Sequence, residues 1–188
     1  MEYTVQKTEN GFAVTAKLDC PVGQARALAV TAASWVREAA GDGAEILWPN
    51  HVVRGEERLC AITCRATADD TIMLTFKPAD AAGDPVPEDF AERVTAAAVR
   101  DLAGYPENRA ELIQTYCRSC RTVMKFVNVV YRGMPVYGFA FAVDKHGGLM
   151  VMTQKSRTVI TLYGGEAQIA EKGDEPVDIP DLPAMPGI

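Results

Sequence analysis

The spacing of apolar residues changes once along this chain, near Thr122, and that change limits the fold more than any other feature. From Val123 onward, Val123, Lys125, Val127 and Val129 alternate with Met124, Phe126, Asn128 and Val130. A period of two belongs to an extended strand, whose successive side chains point to opposite faces. Tyr131-Arg132-Gly133 and Asp144-Lys145-His146-Gly147-Gly148 read as turns, and residues 136–143, 149–153, 158–163 and 167–169 as further strands. So many short strands with tight glycine turns in about 50 residues predict a small β-barrel.

Before Thr122, strands and helices mix. Residues 3–6 and 12–18 read as strands joined by Glu9-Asn10-Gly11, a turn whose residues tolerate positive φ. Pro21 opens a helical stretch to about Ala40, with Leu28, Ala32, Trp35, Val36 and Ala39 on one face and Gly41-Asp42-Gly43 as its stop. Residues 44–48, Val52-Val53, 59–65 and 71–76 read as strands, and residues 77–87 as a loop. A second helix is predicted over residues 88–103, burying Phe90, Val94, Ala97, Ala98 and Leu102. Asn108 is placed to cap a third, with Ile113, Tyr116 and Cys117 facing inward. The class is α+β.

A chain of 188 residues, 48% of them hydrophobic, suits one medium domain or two small ones with a proper core. Its net charge of −6 counts against a nucleic-acid or anionic-membrane partner. No apolar run approaches the roughly 20 residues of a membrane span. Met1-Glu2-Tyr3-Thr4 lacks the basic-then-apolar start of a signal peptide. Five cysteines, an odd number, with no export signal predict free thiols in a reducing cytoplasm. Residues 171–188 hold Pro176, Pro180, Pro183 and Pro186 among acidic side chains and read as a disordered tail.

Ile46-Leu47-Trp48-Pro49-Asn50-His51, followed by Arg58-Leu59-Cys60-Ala61-Ile62, holds the candidate chemistry. Trp48, Asn50, His51 and Arg58 line a small-molecule pocket on one reading. On the other, Trp48 packs in the core, Asn50 closes a turn and Arg58 is a solvated neighbour of Glu56 and Glu57. His51 suits a general base by its ordinary pKa, but no catalytic partner is visible beside it. Cys117-Arg118-Ser119-Cys120 has the spacing of a zinc knuckle or redox pair, yet a zinc site needs two more ligands, for which Cys60 and Cys64 are the available pair. The bland reading puts both cysteines on one helix face against the barrel. Phe126, Tyr131, Tyr137, Phe139 and Phe141 make either a peptide-binding groove or ordinary core.

The Trp-Pro-Asn segment resembles the central motif of biotin protein ligases, Lys-Trp-Pro-Asn-Asp followed by Lys-Leu-x-Gly-Ile. Two further stretches are similar to the family's C-terminal SH3-like barrel: residues 138–149, Gly-x-Ala-x-x-Val-Asp-x-x-Gly-x-Leu, and Gly164-Gly165-Glu166. The resemblance covers about residues 11–169. It implies a partial biotin/lipoate-ligase-like mixed sheet with helices over residues 1–120, an SH3-like barrel over 121–170, and the tail.

The departures from the family bear on activity. The family's Gly/Arg loop, whose amides and guanidiniums neutralise phosphate in adenylate chemistry, has no counterpart in residues 1–10. The two Lys positions hold Leu47 and Arg58, the Asp position His51, and the Gly position Ala61. The family's Gly-x-Gly-x-Asn strand end reads Leu-Thr-Phe-Lys-Pro-Ala at 74–79, and a basic residue past the final strand is Ala170. The expectation is a truncated, degenerate relative lacking ligase activity and acting as a binding or regulatory module. Its partner would be a biotin-acceptor domain, another protein, or a second copy pairing at an open strand edge. Two rivals remain: a biotin- or lipoate-type ligase subunit completed by a second chain that supplies the loop, and a small-ligand binder in a repurposed pocket. Biotin and ATP are implied only if ligase activity survives.

Overall fold

The hairpin signal at Glu9-Asn10-Gly11 becomes the edge of a sheet. In the computed structural model, which describes residues 2–67, 70–79, 86–131, 134–164 and 167–169, β1 (Tyr3–Thr8) and β2 (Gly11–Lys17) pair antiparallel around Glu9-Asn10. Gly11, at φ +155°, lets the Phe76 carbonyl approach so closely that a β-carbon would overlap it. β2 continues into β6 (Thr71–Pro78), β5 (Glu57–Ala66), β4 (His51–Arg54) and β3 (Ala44–Leu47), in the order β1-β2-β6-β5-β4-β3.

All of these pairings are antiparallel, so the mixed sheet implied by the resemblance is corrected. Strands β3 to β6 follow one another through short turns, and a short turn can join only antiparallel neighbours. Among the described residues the one parallel pairing is an isolated bridge from Ile46 to Cys120.

Alternation sends Phe12, Val14, Ile72, Leu74 and Phe76 to one face, where helices cover them. α1 (Leu28–Ala40) buries Leu28, Ala32, Trp35, Val36 and Ala39, the stripe expected from the sequence. The six residues before it, Val22–Ala27, form a tighter 3-10 helix rather than the continuous α-helix expected from Pro21. α2 (Phe90–Leu102) buries Phe90, Val94, Ala97, Ala98 and Leu102, as predicted. Phe90 meets the edge of Phe12, which stacks on Phe76 with centroids 5.1 Å apart. Trp35 ties α1 to α2 by donating its indole N–H to Asp101 Oδ2 at 2.6 Å.

α3 (Arg109–Ser119) turns Tyr116 inward as expected, with Ile113 and Cys117 half-buried against the core, and it buries Leu112 as well. Asn108 precedes it but does not cap it; the Asn108 amide donates to the Asp101 carbonyl at 2.7 Å, joining the start of α3 to the end of α2.

The period-two stretch forms a second antiparallel sheet, in the order β10-β9-β8-β7-β11. Its strands are β7 (Lys125–Tyr131), β8 (Met134–Val143), β9 (Leu149–Thr153), β10 (Val159–Leu162) and β11 (Ala167–Ile169). Val127, Val129, Ala140, Leu149, Val151 and Leu162 face inward and join the same apolar cluster as the first sheet. The turn at 131–133 and the loop at 77–87 lie partly, and the tail at 171–188 wholly, outside the described residues. Among the described residues no helix is long and apolar enough to cross a membrane.

Candidate functional site

The Trp-Pro-Asn segment sits where the two sheets meet. Beyond the end of α3, the Arg121 N–H donates to the Ile46 carbonyl at 2.7 Å, covering the β3 edge. Thr122 Oγ1 then accepts the Trp48 N–H at 3.0 Å. Trp48 is 2% exposed, and its indole N–H donates to the Gly147 carbonyl in the β8–β9 turn at 3.1 Å. Gly147 holds φ +87°, a left-handed conformation that suits glycine, and packs on Val30 of α1. Trp48 is therefore a buried strut between the two sheets.

The next residues are tied down as firmly. The Trp48–Pro49 bond is cis. Tyr116 O–H donates to the Pro49 carbonyl at 2.9 Å, and the Cys120 thiol lies 3.4 Å from that hydroxyl. Asn50 spends both amide hydrogens on backbone, donating to the Ala29 and Ile62 carbonyls at 3.1 Å each.

Beside Asn50 opens a cleft of about 590 Å³. Its described walls come from the start of α1 (Arg26, Ala29, Val30), from Pro49 and Asn50, from β5 (Ile62, Thr63, Cys64) and from the second sheet (His146, Gly147, Tyr163, Gly164). Among these residues Arg26 is the one permanent cation, and there is no carboxylate, in a chain with 25 acidic residues. Asp144 stands just behind. Its Oδ1 accepts the His146 and Gly148 N–H groups at 2.8 Å each, and its Oδ2 accepts Tyr163 O–H at 2.8 Å. Burial alone would raise the Asp144 pKa, but these hydrogen bonds outweigh it and hold the carboxyl below its ordinary range. Among the described residues His146 Nδ1 is buried with no hydrogen-bond partner.

Of the four residues singled out from the sequence, Asn50 alone lines this cleft. Trp48 lies in the core. His51 and Arg58 are exposed on β4 and β5. Burial, then the nearby Arg58 charge, lowers the His51 pKa, so its imidazole is neutral at neutral pH. Cys117 and Cys120 sit at the C-terminal end of α3. Burial pushes the Cys117 thiol up, opposite to the shift a redox nucleophile needs. Burial also pushes Cys60 up to about 12 and Cys64 up to about 11. Among the described residues no three His, Cys, Asp or Glu side chains converge on a metal-sized site.

Arg26, His146 and Tyr163 were not singled out from the sequence. The one local signal was Asp144 followed by Gly147-Gly148, an Asx-type turn, which fixes a loop but not what it faces.

No protein-family model and no curated protein matches the chain. Solved structures do. The apo biotin protein ligase of Aquifex aeolicus superimposes with a TM-score of 0.66 at 15% identity, covering 88% of this chain and 85% of that one. The same ligase in complex with biotin and ATP gives 0.52 at 11%, covering 87% and 79%. A biotin protein ligase-like protein of unknown function from Silicibacter sp. TM1040 gives 0.58 at 12%, covering 85% and 81%. At these identities the likeness is one of architecture, and the chain has the fold of the biotin protein ligases.

Proposed function

We infer that this chain is a biotin-ligase-fold protein that does not ligate and works as a binding or regulatory module. The observation that carries the reading is the chemistry of the cleft beside Asn50. Forming an acyl-adenylate requires several cations or oriented amides around the triphosphate, and carboxylates to hold its magnesium. Arg26 is the one guanidinium among the described cleft residues, no carboxylate joins it, and the Asn50 amide is committed to backbone. Those residues do not fit ATP. On this proposal residues 1–120 form a ligase-like domain and 121–170 an SH3-like barrel.

The test is incubation of the purified chain with biotin, ATP, magnesium and a biotin-acceptor domain. No labelling of the acceptor is expected; robust labelling overturns the reading. Labelling that appears only when a second chain supplies a Gly/Arg loop identifies the rival, a two-chain ligase.

The lining, free of carboxylates among the described residues, favours a second reading, in which the cleft holds a small anion. A thermal-shift screen with nucleotides, biotin and acyl compounds tests it, and a flat response across the panel refutes it.

For the partner, the β1 edge supports a second copy. The Lys17 N–H donates to the Glu2 carbonyl, so residues 2, 4, 6 and 8 bond inward and Tyr3, Val5 and Lys7 turn their N–H and C=O groups outward. Two copies pairing antiparallel about Val5 would set Tyr3 opposite Lys7 twice, a self-complementary arrangement.

A further inference from the structure

The outer face of the second sheet carries an apolar row where a solvent face would carry polar groups. On β7, Val127 and Val129 are buried, while Phe126 and Val130 are 37% and 38% exposed. Phe126 stands opposite Phe139 on β8, Phe139 opposite Met152 on β9, and Met152 opposite Val159 on β10. Register thus aligns Phe126, Phe139, Met152 and Val159 across four strands, with Val159 52% exposed. Tyr137 widens the row at its aromatic end. Its ring stacks on Phe126 at 5.7 Å, and Phe139 lies 5.1 Å from the same ring. A contiguous apolar row that includes exposed Phe126 and Val159, with Tyr137 and Phe139 half-buried beside it, marks a binding surface.

The chain carries a sequence that suits this surface. Pro180, Pro183 and Pro186 recur every three residues. Three residues make one turn of polyproline II, so these rings fall on one side, and aromatic-lined grooves bind that helix. The same stretch is acidic, with Glu171, Asp174, Glu175, Asp178 and Asp181. Exposed basic side chains lie at the β10 end of the row: Lys155 and Arg157, in the turn before Val159.

Topology brings the two together. β11 runs antiparallel to β7, with Ile169 opposite Val129, so the chain leaves β11 heading toward Phe126. Ile169 stands three strand residues, about 10 Å, from the level of Phe126. The eleven residues from Ile169 to Pro180 would reach about 34 Å as polyproline II. The row, three strand spacings wide, measures only about 14 Å.

We propose that this row is the docking groove for the chain's own residues 180–186, held by proline–aromatic stacking and by pairing of its acidic side chains with Lys155 and Arg157. The proposal is independent of whether the chain ligates biotin.

The experiment uses the full chain. Aromatic NMR and limited proteolysis within residues 171–188 are compared between the wild type and the variant Pro180→Ala/Pro183→Ala/Pro186→Ala. A tail docked nine-tenths of the time is cleaved about tenfold more slowly than a free one, because cleavage follows the open population. The triple variant is therefore expected to be cut about tenfold faster, with shifted Phe126, Tyr137 and Phe139 ring signals. Phe126→Ala should speed cleavage similarly. If that variant lowers the unfolding midpoint, the tail variant, which alters no residue of either sheet, decides. Identical ring signals and cleavage rates in wild type and triple variant overturn the proposal. So does protection that grows with protein concentration, which would mean docking between chains.

Discussion

Gly147→Ala is the most demanding test of the junction between the two sheets. A β-carbon at 147 would lie 2.8 Å from Val30 Cγ2, well inside contact distance, on a residue held at φ +87°. The backbone conformation costs an alanine about 1–2 kcal/mol, and the overlap about 1–3 kcal/mol more. The total is about 2–5 kcal/mol, a large share of an ordinary domain's stability. Val30→Ala alone, at a site 7% exposed, costs about 1.5–2.5 kcal/mol by lost burial and the cavity left behind. In the double variant the clashing methyl is gone, and the new one partly fills the hole. The pair should therefore be less destabilised than the sum by about 1–2 kcal/mol, with the backbone strain remaining. Urea unfolding followed by tryptophan fluorescence measures this, since Trp35 and Trp48 are both buried and Trp48 bonds Gly147 itself. One transition is expected, because one apolar cluster runs through both sheets. Additivity within about 0.3 kcal/mol, or two separate transitions with only one responding, would refute the shared-core account.

Two further outcomes follow from the geometry. Tyr163→Phe removes one of the hydrogen bonds that keep the Asp144 carboxyl ionised. The folded Asp144 pKa lies below its unfolded value, so its contribution is present above the ordinary carboxylate pKa and lost as pH falls through the folded one. The variant should be about 1 kcal/mol less stable at pH 7, a figure reduced for partial exposure, with the difference shrinking in acid denaturation curves below pH 4. A difference independent of pH would refute the assignment. At the β1 edge, Val5→Pro removes an outward N–H and none that pairs with β2, so it should abolish self-association in sedimentation velocity while sparing the fold. Thr4→Pro, which removes an inward N–H, should instead lower the unfolding midpoint. A wild type that stays monomeric at all concentrations, or a Val5→Pro variant that still dimerises, would rule out this interface.

The sequence made the helices legible because their apolar stripes are local and periodic. Every residue of the two long stripes, from Leu28 to Ala39 and from Phe90 to Leu102, is buried where it was expected. On the third helix Ile113, Tyr116 and Cys117 pack on the core as expected, and only Leu112 was missed, since Leu112 and Ile113 are both apolar and packing alone chooses how deeply each is buried. The inner face of β7 was ambiguous for the same reason: Val127 and Val129 on one side and Phe126 and Val130 on the other give no polarity contrast.

The site was less legible because it is assembled from distant segments. Arg26, Asn50, Cys64, His146 and Tyr163 come from five places in the chain, and a linear motif shows only one of them. The Trp-Pro-Asn motif pointed to the fold for a reason that is now structural. Trp48 ties the first sheet to Gly147 of the second and Pro49 ties it to Tyr116 of α3, contacts internal to the fold.

The central claim is that this architecture stands here without adenylate chemistry. Biotin-dependent exchange of pyrophosphate into ATP tests it most directly, because it reads the first step alone and needs no acceptor or partner. The account predicts no exchange above a buffer control at millimolar biotin, ATP and magnesium. Exchange that requires biotin and rises in proportion to this protein would contradict it.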